Sequence, residues 1–349
     1  MSLIDLCERG FIPDRLARMG MRALIAKRLV DEAADDGEFR SKRFNAFLEE
    51  LRAGPIAIET PAANEQHYEV PAEFFRLHLG SRLKYSCCLY PAGNESLESA
   101  EELMLTHYLE RLGVTEDMRV LDLGCGWGSV SLWLASRFTR TEVVGLSNSA
   151  SQREFIMAQA RERGLDNLTI LTGNVAEFEI PQDVLGRGFD RVISIEMFEH
   201  MKNYGLLLNK VAGWMKPDAR LFVHLFAHKL LAYHFEDKRG DDWMTRHFFR
   251  GGTMPSENLL LHFQDDLRLV KHWWIGGQHY QKTANHWLER MDAARRPIMD
   301  VFCKTYGDRD AALWFQRWRM FYMAVAELFG YAHGNEWGVG HYLFEKRER

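Results

Sequence analysis

The stretch RVLDLGCGWGSVSLWLASRF, residues 119–138, decides the fold. RVLDLG reads as a short buried strand and SVSLWLASRF as a helix, with Gly124, Gly126 and Gly128 in the turn between them. Glycines let a backbone approach a ligand closely, and the free N–H groups at a helix start favour a carboxylate. A dinucleotide fingerprint would be G-x-G-x-x-G with an acidic residue about 20 positions on. Here the spacing is G-x-G-x-G, and the next strand ends in Gly145-Leu146-Ser147-Asn148 without Asp or Glu.

Outward from that turn the pattern alternates. EVVGLS, LTILTG, FDRVISIE and RLFVHLF read as strands, SQREFIMAQARERG and YGLLLNKVAGWM as helices. This predicts an α/β fold: a Rossmann-like, doubly wound, mostly parallel sheet whose ligand crevice lies at the strands' carboxyl ends. Residues 1–55 predict two amphipathic helices closed by Gly54-Pro55. Residues 60–92 are rich in Pro, aromatic and small polar residues, and LESAEELMLTHYLERLG is a helix ended by Gly113. After Ala227 come a loop-rich excursion to 255, a helix in PSENLLLHFQDD, a strand around LRLVKHWWI, helices over 283–330 and a strand in GVGHYLFEK. The predicted domains are a helical N-terminal extension (1–100), a ligand-binding core (101–282), a helical lid (283–333) and a terminal strand completing the sheet (334–349).

The 349 residues, 46% hydrophobic, suffice for a sizeable core. A net charge of -5 argues against a nucleic-acid partner and gives no electrostatic help toward an anionic membrane surface. The five cysteines are irregularly spaced without a CxxC pair, so neither a zinc site nor a disulfide framework is expected, and a reducing cytoplasm is the simplest compartment. The first 20 residues lack a basic region followed by an apolar run, and no 18 uncharged apolar residues follow one another. Neither a signal peptide nor stable membrane insertion is expected.

Several motifs together resemble one family. YSCCLYP (85–91), LDLGCGWGS (121–129) and EMFEHMKNY (196–204) are similar to the cyclopropane-fatty-acid-synthase family of enzymes dependent on S-adenosylmethionine (SAM). ANEQHYEVP (63–71), FVHLFAHK (222–229), AYHFED (232–237), DDWMTRHFF (241–249) and AVAELFGY (324–331) resemble its plant alkaloid branch, the coclaurine N-methyltransferases. The resemblance implies a class I methyltransferase fold, SAM as cofactor, no metal and a small-molecule amine substrate; a homodimer is compatible with it. Carried over by motif, the SAM site comprises Tyr85, Ser86, Gly124, Gly126, Ser147, Asn148 and Gln152, with Asn174 and Val175 by the adenine. Asp122, ahead of the glycines, fits an acidic residue common in such loops.

Glu196, Glu199 and His200 sit at the end of the fourth strand, pointing into the crevice. An amine must present a free lone pair to a methyl sulfonium, yet most alkylamines are protonated at neutral pH. A carboxylate that attracts the ammonium and a base that removes its proton answer that need. The resemblance assigns both jobs to these three residues, and lipid cyclopropane synthases usually carry glycine at position 196. The same family implies a second constellation, a bicarbonate pocket of Cys87, Glu199, His224 and Tyr280 serving as base for cyclopropanation of unsaturated acyl chains, the alternative activity. Trp243, Phe248, Phe249, Trp273, Trp274, Trp287, Trp314, Trp318, Phe321, Tyr322, Phe329 and Tyr331 are expected mostly in the core, a few lining a wall for a flat substrate.

Overall fold

A computed structural model describes residues 2–32, 35–58, 70–237 and 242–347. Most of the ANEQHYEVP motif lies outside the described residues. Nine strands follow in chain order: β1 (Arg119–Leu123), β2 (Glu142–Ser147), β3 (Leu168–Thr172), β4 (Phe189–Ile195), β5 (Met215–His228), β6 (Tyr233–His234), β7 (Thr253–Met254), β8 (Leu267–Gly276) and β9 (Trp337–Lys346). Seven of them build one sheet in the order β3-β2-β1-β4-β5-β9-β8, while β6 and β7 form a separate ribbon. The pairs among β1 to β5 are parallel, and β9 runs antiparallel to both β5 and β8. The expected doubly wound, mostly parallel sheet is present.

Helices cover both faces because the strands are apolar on both. The described helices are α1 (Leu3–Glu8), α2 (Asp14–Asp31), α3 (Gly37–Ala53), α4 (Ala72–His78), α5 (Leu97–Leu112), α6 (Ser129–Arg137), α7 (Ala150–Glu162), α8 (Gln182–Leu185), α9 (Tyr204–Trp214), α10 (Trp243–His247), α11 (Gly277–Ala293), α12 (Arg295–Tyr306) and α13 (Ala311–Gly330). One face buries the apolar sides of α5, α6 and α7 together with the lid helices; the other buries α9 and the end of α3. Gly113 closes α5 in the left-handed conformation at φ 68°, as its position in the sequence predicts.

Three expectations change. The described residues of the N-terminal 55 form three helices, since Ser2 caps a short α1 through a reciprocal hydrogen bond with Asp5. PSENLLLHFQDD is not a helix: only Leu259–His262 make a single 3-10 turn, Leu259 and Leu260 being buried. The helices expected over 283–330 begin at Gly277, directly from the end of β8. A Cβ on Gly277 would come within 2.2 Å of the Phe329 and Trp337 carbonyl oxygens, so this join needs glycine. Helix α2 is pinned to α13: Arg18 and Arg22 both pair with Glu327, at 2.9 and 2.6 Å.

Strand order reverses between β1 and β4, the switch point where doubly wound sheets bind ligands. Residues from the ends of both strands line the principal cavity.

Candidate active site

The turn after β1 makes the floor. Gly124, Gly126 and Gly128 have φ of 84°, 51° and 80°, the left-handed region that a Cβ penalises. A Cβ on Gly124 would also meet Met197 Cγ at 2.7 Å. Beside the turn, Asp122 is fully buried and accepts the Ser131 hydroxyl at 2.6 Å, and burial pushes its carboxyl up to about 6. The Ser129 hydroxyl and the Gln152 amide nitrogen are buried without a hydrogen-bond partner among the described residues, and both residues line the cavity. Buried donors normally find partners, so these two mark where the polar groups of a ligand belong.

At the end of β4 the backbone itself is unusual. Glu196 has φ 48°, a strained conformation for a residue with a side chain. Its carboxylate is held from three sides. The Cys87 N–H donates to Oε1 at 2.9 Å, His224 Nε2 lies 3.1 Å from the same oxygen, and the Tyr280 hydroxyl donates to Oε2 at 2.5 Å. Burial alone would raise this carboxyl. The His224 hydrogen bond and the nearby Lys84 ammonium outweigh it and hold Glu196 below the usual range, hence ionised.

The loop delivering Cys87 is itself anchored. The Glu101 carboxylate of α5 accepts the Arg82 and Lys84 N–H groups at 2.8 and 3.2 Å. Lys84, only 1% exposed, donates to the Ser86 hydroxyl and, at 2.7 Å, to the Cys87 carbonyl.

Glu199 and His200 follow on a 3-10 turn, Phe198–His200. The turn separates them: His200 lines the cavity and Glu199 does not. The Glu199 carboxyl is fully buried, with Oε1 accepting the Phe226 N–H at 2.7 Å and Oε2 without a partner among the described residues. Burial and the Glu196 charge push it well above the usual range, which favours its protonated form. His200 is drawn down to about 4 by burial, so its imidazole is an uncharged base at neutral pH. Its ring stacks on Phe249 at 5.8 Å and 6°.

The cavity encloses about 1260 Å³, open mouth included, and its outer wall is aromatic: Phe226, Phe235, Phe249, Phe321, Phe329, Tyr280 and Trp287. A second cavity of about 730 Å³ shares Gly124, Gly126, Gln152, Glu196 and His200 with it, and extends to Ser147, Asn148, Asn174 and Val175. The two form one cleft, with polar loop ends on one side and aromatic rings on the other.

The chain matches the family described as mycolic acid cyclopropane synthetase over residues 58–330. It is 37% identical to (S)-coclaurine N-methyltransferase from Thalictrum flavum subsp. glaucum, over 99% of this chain and 96% of that one. It is 36% identical to the enzyme of the same name from Papaver somniferum, over 99% and 98%. This chain belongs to the mycolic acid cyclopropane synthetase family. The crystal structure of coclaurine N-methyltransferase bound to N-methylheliamine and S-adenosylhomocysteine superposes on it with a TM-score of 0.94 at 35% identity, covering 99% of both chains.

Within this family member the structure brings most of the sequence-predicted residues to the cleft. Tyr85, Ser86, Gly124, Gly126, Gln152, Glu196, His200 and Tyr280 line the larger cavity; Ser147, Asn148, Asn174 and Val175 line the smaller. Cys87, His224 and Tyr280 do converge, but on the Glu196 carboxylate, and Glu199 is not among them. Cys87 takes part through its backbone N–H, while its thiol, raised by burial and the Glu196 charge, donates to the Cys88 carbonyl at 3.3 Å. Of the lid aromatics singled out in the sequence, Phe249, Trp287, Phe321 and Phe329 face the cavity. Lys84 and Tyr108 belong to the electrostatic surroundings of Glu196, and His341 to those of His224; none of the three was foreseen. Lys84 immediately precedes the YSCCLYP motif, the one local signal that could have flagged it.

Proposed function

We propose that this chain is a SAM-dependent N-methyltransferase for a bulky arylalkylamine of the tetrahydroisoquinoline kind. The observation that carries this reading is the fixed carboxylate of Glu196 at an aromatic cavity. A buried anion with aromatic faces around it suits a cationic amine on a flat ring system, and offers an alkene nothing.

SAM, when bound, supplies the electrophilic methyl group. Gly124, Gly126, Ser129 and Gln152 would hold its polar groups, with Tyr85, Ser86, Ser147, Asn148, Asn174 and Val175 lining the rest of its bed. Glu196 attracts the ammonium and orients it; neutral His200 takes its proton, and the imidazolium formed is stabilised by the Glu196 charge. The freed lone pair forms the new N–C bond while the S–C bond breaks, its electron pair staying on sulfur. The aromatic walls exclude water and align donor with acceptor. Glu199, outside the cavity and bonded to the Phe226 N–H, supports the turn rather than the amine.

Cyclopropanation with bicarbonate fits less well, because the donors that would grip a free anion are engaged by Glu196. The Glu196 carboxylate is in effect a built-in replacement for that ion. A single assay tests the reading: methyl-labelled SAM is offered both 1-benzyl-tetrahydroisoquinolines and unsaturated phospholipid vesicles. Label in N-methylated amine supports it; label confined to acyl chains refutes it. Among the described residues no helix is long and apolar enough to cross a membrane, and all five cysteines are free thiols, in keeping with a reducing compartment such as the cytoplasm.

A further inference from the structure

The partner of Glu196 is part of a longer chain of contacts. Strands β5 and β9 are in a register that sets His224 directly opposite His341. His341 Nε2 lies 2.8 Å from His224 Nδ1, and His341 Nδ1 is met by the Arg111 guanidinium of α5. The geometry points to a directional relay, Arg111–His341–His224, that locks His224 in the tautomer donating to Glu196, making Arg111 and His341 positioning residues for the amine site. The inference rests on the reading of Glu196 as the carboxylate that receives the amine.

Each step follows from what the groups can do. A guanidinium has donors only, so the His341 Nδ1 facing it must be a lone pair. A neutral imidazole carries its proton on the other nitrogen, so His341 Nε2–H donates to His224 Nδ1. That leaves the His224 proton on Nε2, 3.1 Å from Glu196 Oε1. The Tyr108 hydroxyl, 2.9 Å from His224 Nδ1, adds a second donor to the same lone pair. Reversing any link sets N–H against N–H, or a lone pair against the carboxylate, inside the core.

Burial keeps both rings neutral: His224 is drawn down to about 4 and His341 well below its ordinary value. The charged and titratable groups around them are Lys84 from the loop, His107, Tyr108 and Arg111 from α5, and Glu196 with Glu199 from the end of β4. Tyr280 of α11 and the Cys87 thiol complete the shell of Glu196. Arg111 lies over Trp273 of β8 at 4.4 Å, which fixes its plane. Nothing in this relay touches the cavity except through Glu196.

The test compares His341→Leu, His341→Gln and Arg111→Met in the full-length protein. Nitrogen-15 NMR reads the His224 tautomer, assigned by its disappearance in His224→Gln, and kcat/KM for a benzyl-tetrahydroisoquinoline is followed across pH. Wild type shows the Nε2–H tautomer. In His341→Leu and Arg111→Met the tautomers mix and the acidic limb moves up by about one pH unit, as loss of a donor to a carboxylate requires. His341→Gln, whose amide both donates and accepts, keeps the wild-type limb. A wild-type Nδ1–H tautomer, or an unchanged tautomer and limb in both disrupting variants, overturns the relay. If His341→Leu does not fold, half-buried Arg111→Met decides alone. Full amine turnover in Glu196→Gln would instead defeat the underlying amine reading, while the tautomer measurement still judges the relay.

Discussion

Replacing Glu196 by Gln removes one charge, keeps the shape of the side chain and leaves the backbone at φ 48°. The backbone strain is therefore the same before and after. The Cys87 N–H and His224 Nε2 keep the amide oxygen as acceptor, and the Tyr280 hydroxyl turns to accept from the amide NH2, so the fold and the SAM bed should survive. What disappears is the attraction between a buried carboxylate and the substrate ammonium. Truncating one side of a buried charge pair costs roughly 2–4 kcal/mol, and each 1.36 kcal/mol is tenfold. The expected loss in kcat/KM for a benzyl-tetrahydroisoquinoline is thus about 30- to 1000-fold. Production of S-adenosylhomocysteine measures turnover, and calorimetric titration with SAM measures cofactor affinity, which should change less than about threefold. Amine kcat/KM within threefold of wild type would refute the role of Glu196. A parallel collapse of SAM affinity would show that it serves the cofactor instead.

His200→Asn should lower kcat by about 100-fold or more through loss of the base, leaving SAM affinity intact, as the same two assays report. Glu199→Gln should leave amine turnover nearly unchanged, because burial favours the protonated carboxyl and the group lies outside the cavity. Its raised folded-state pKa stabilises the fold at low pH, and that contribution is lost as pH rises through the folded value. Thermal unfolding of Glu199→Gln should accordingly fall less steeply with rising pH than wild type, and parallel curves would contradict the assignment. Gly124→Ala combines φ 84° with a Cβ 2.7 Å from Met197. A strain of about 1–3 kcal/mol should weaken SAM binding roughly tenfold or more, and wild-type affinity in a titration would show that the turn does not cradle the cofactor.

The central sheet was legible because its strands are buried on both faces and punctuated by glycines, as in RVLDLG and EVVGLS. PSENLLLHFQDD misled because its leucines answer to burial beside the sheet rather than to a helical face; a single 3-10 turn suffices to bury two of them. Glu196, Glu199 and His200 were found together, but not their division of labour. One 3-10 turn sends Glu199 into the core and His200 into the cleft, and that direction depends on tertiary packing. His341 could not be tied to the site from sequence. Its link to His224 exists only through the register of β5 on β9, across 117 residues of chain.

Glu196 occupies the donors that would otherwise hold a free anion, and chemical rescue of Glu196→Gly tests this most directly. Glycine suits the backbone at φ 48° and releases the Cys87 N–H, His224 Nε2 and the Tyr280 hydroxyl together. Amine methylation by this variant should be low in carbonate-free buffer and recover saturably as bicarbonate is added, with wild type indifferent to the ion. A variant that binds SAM normally yet gains no activity with bicarbonate, or a wild type stimulated by it, would contradict the claim.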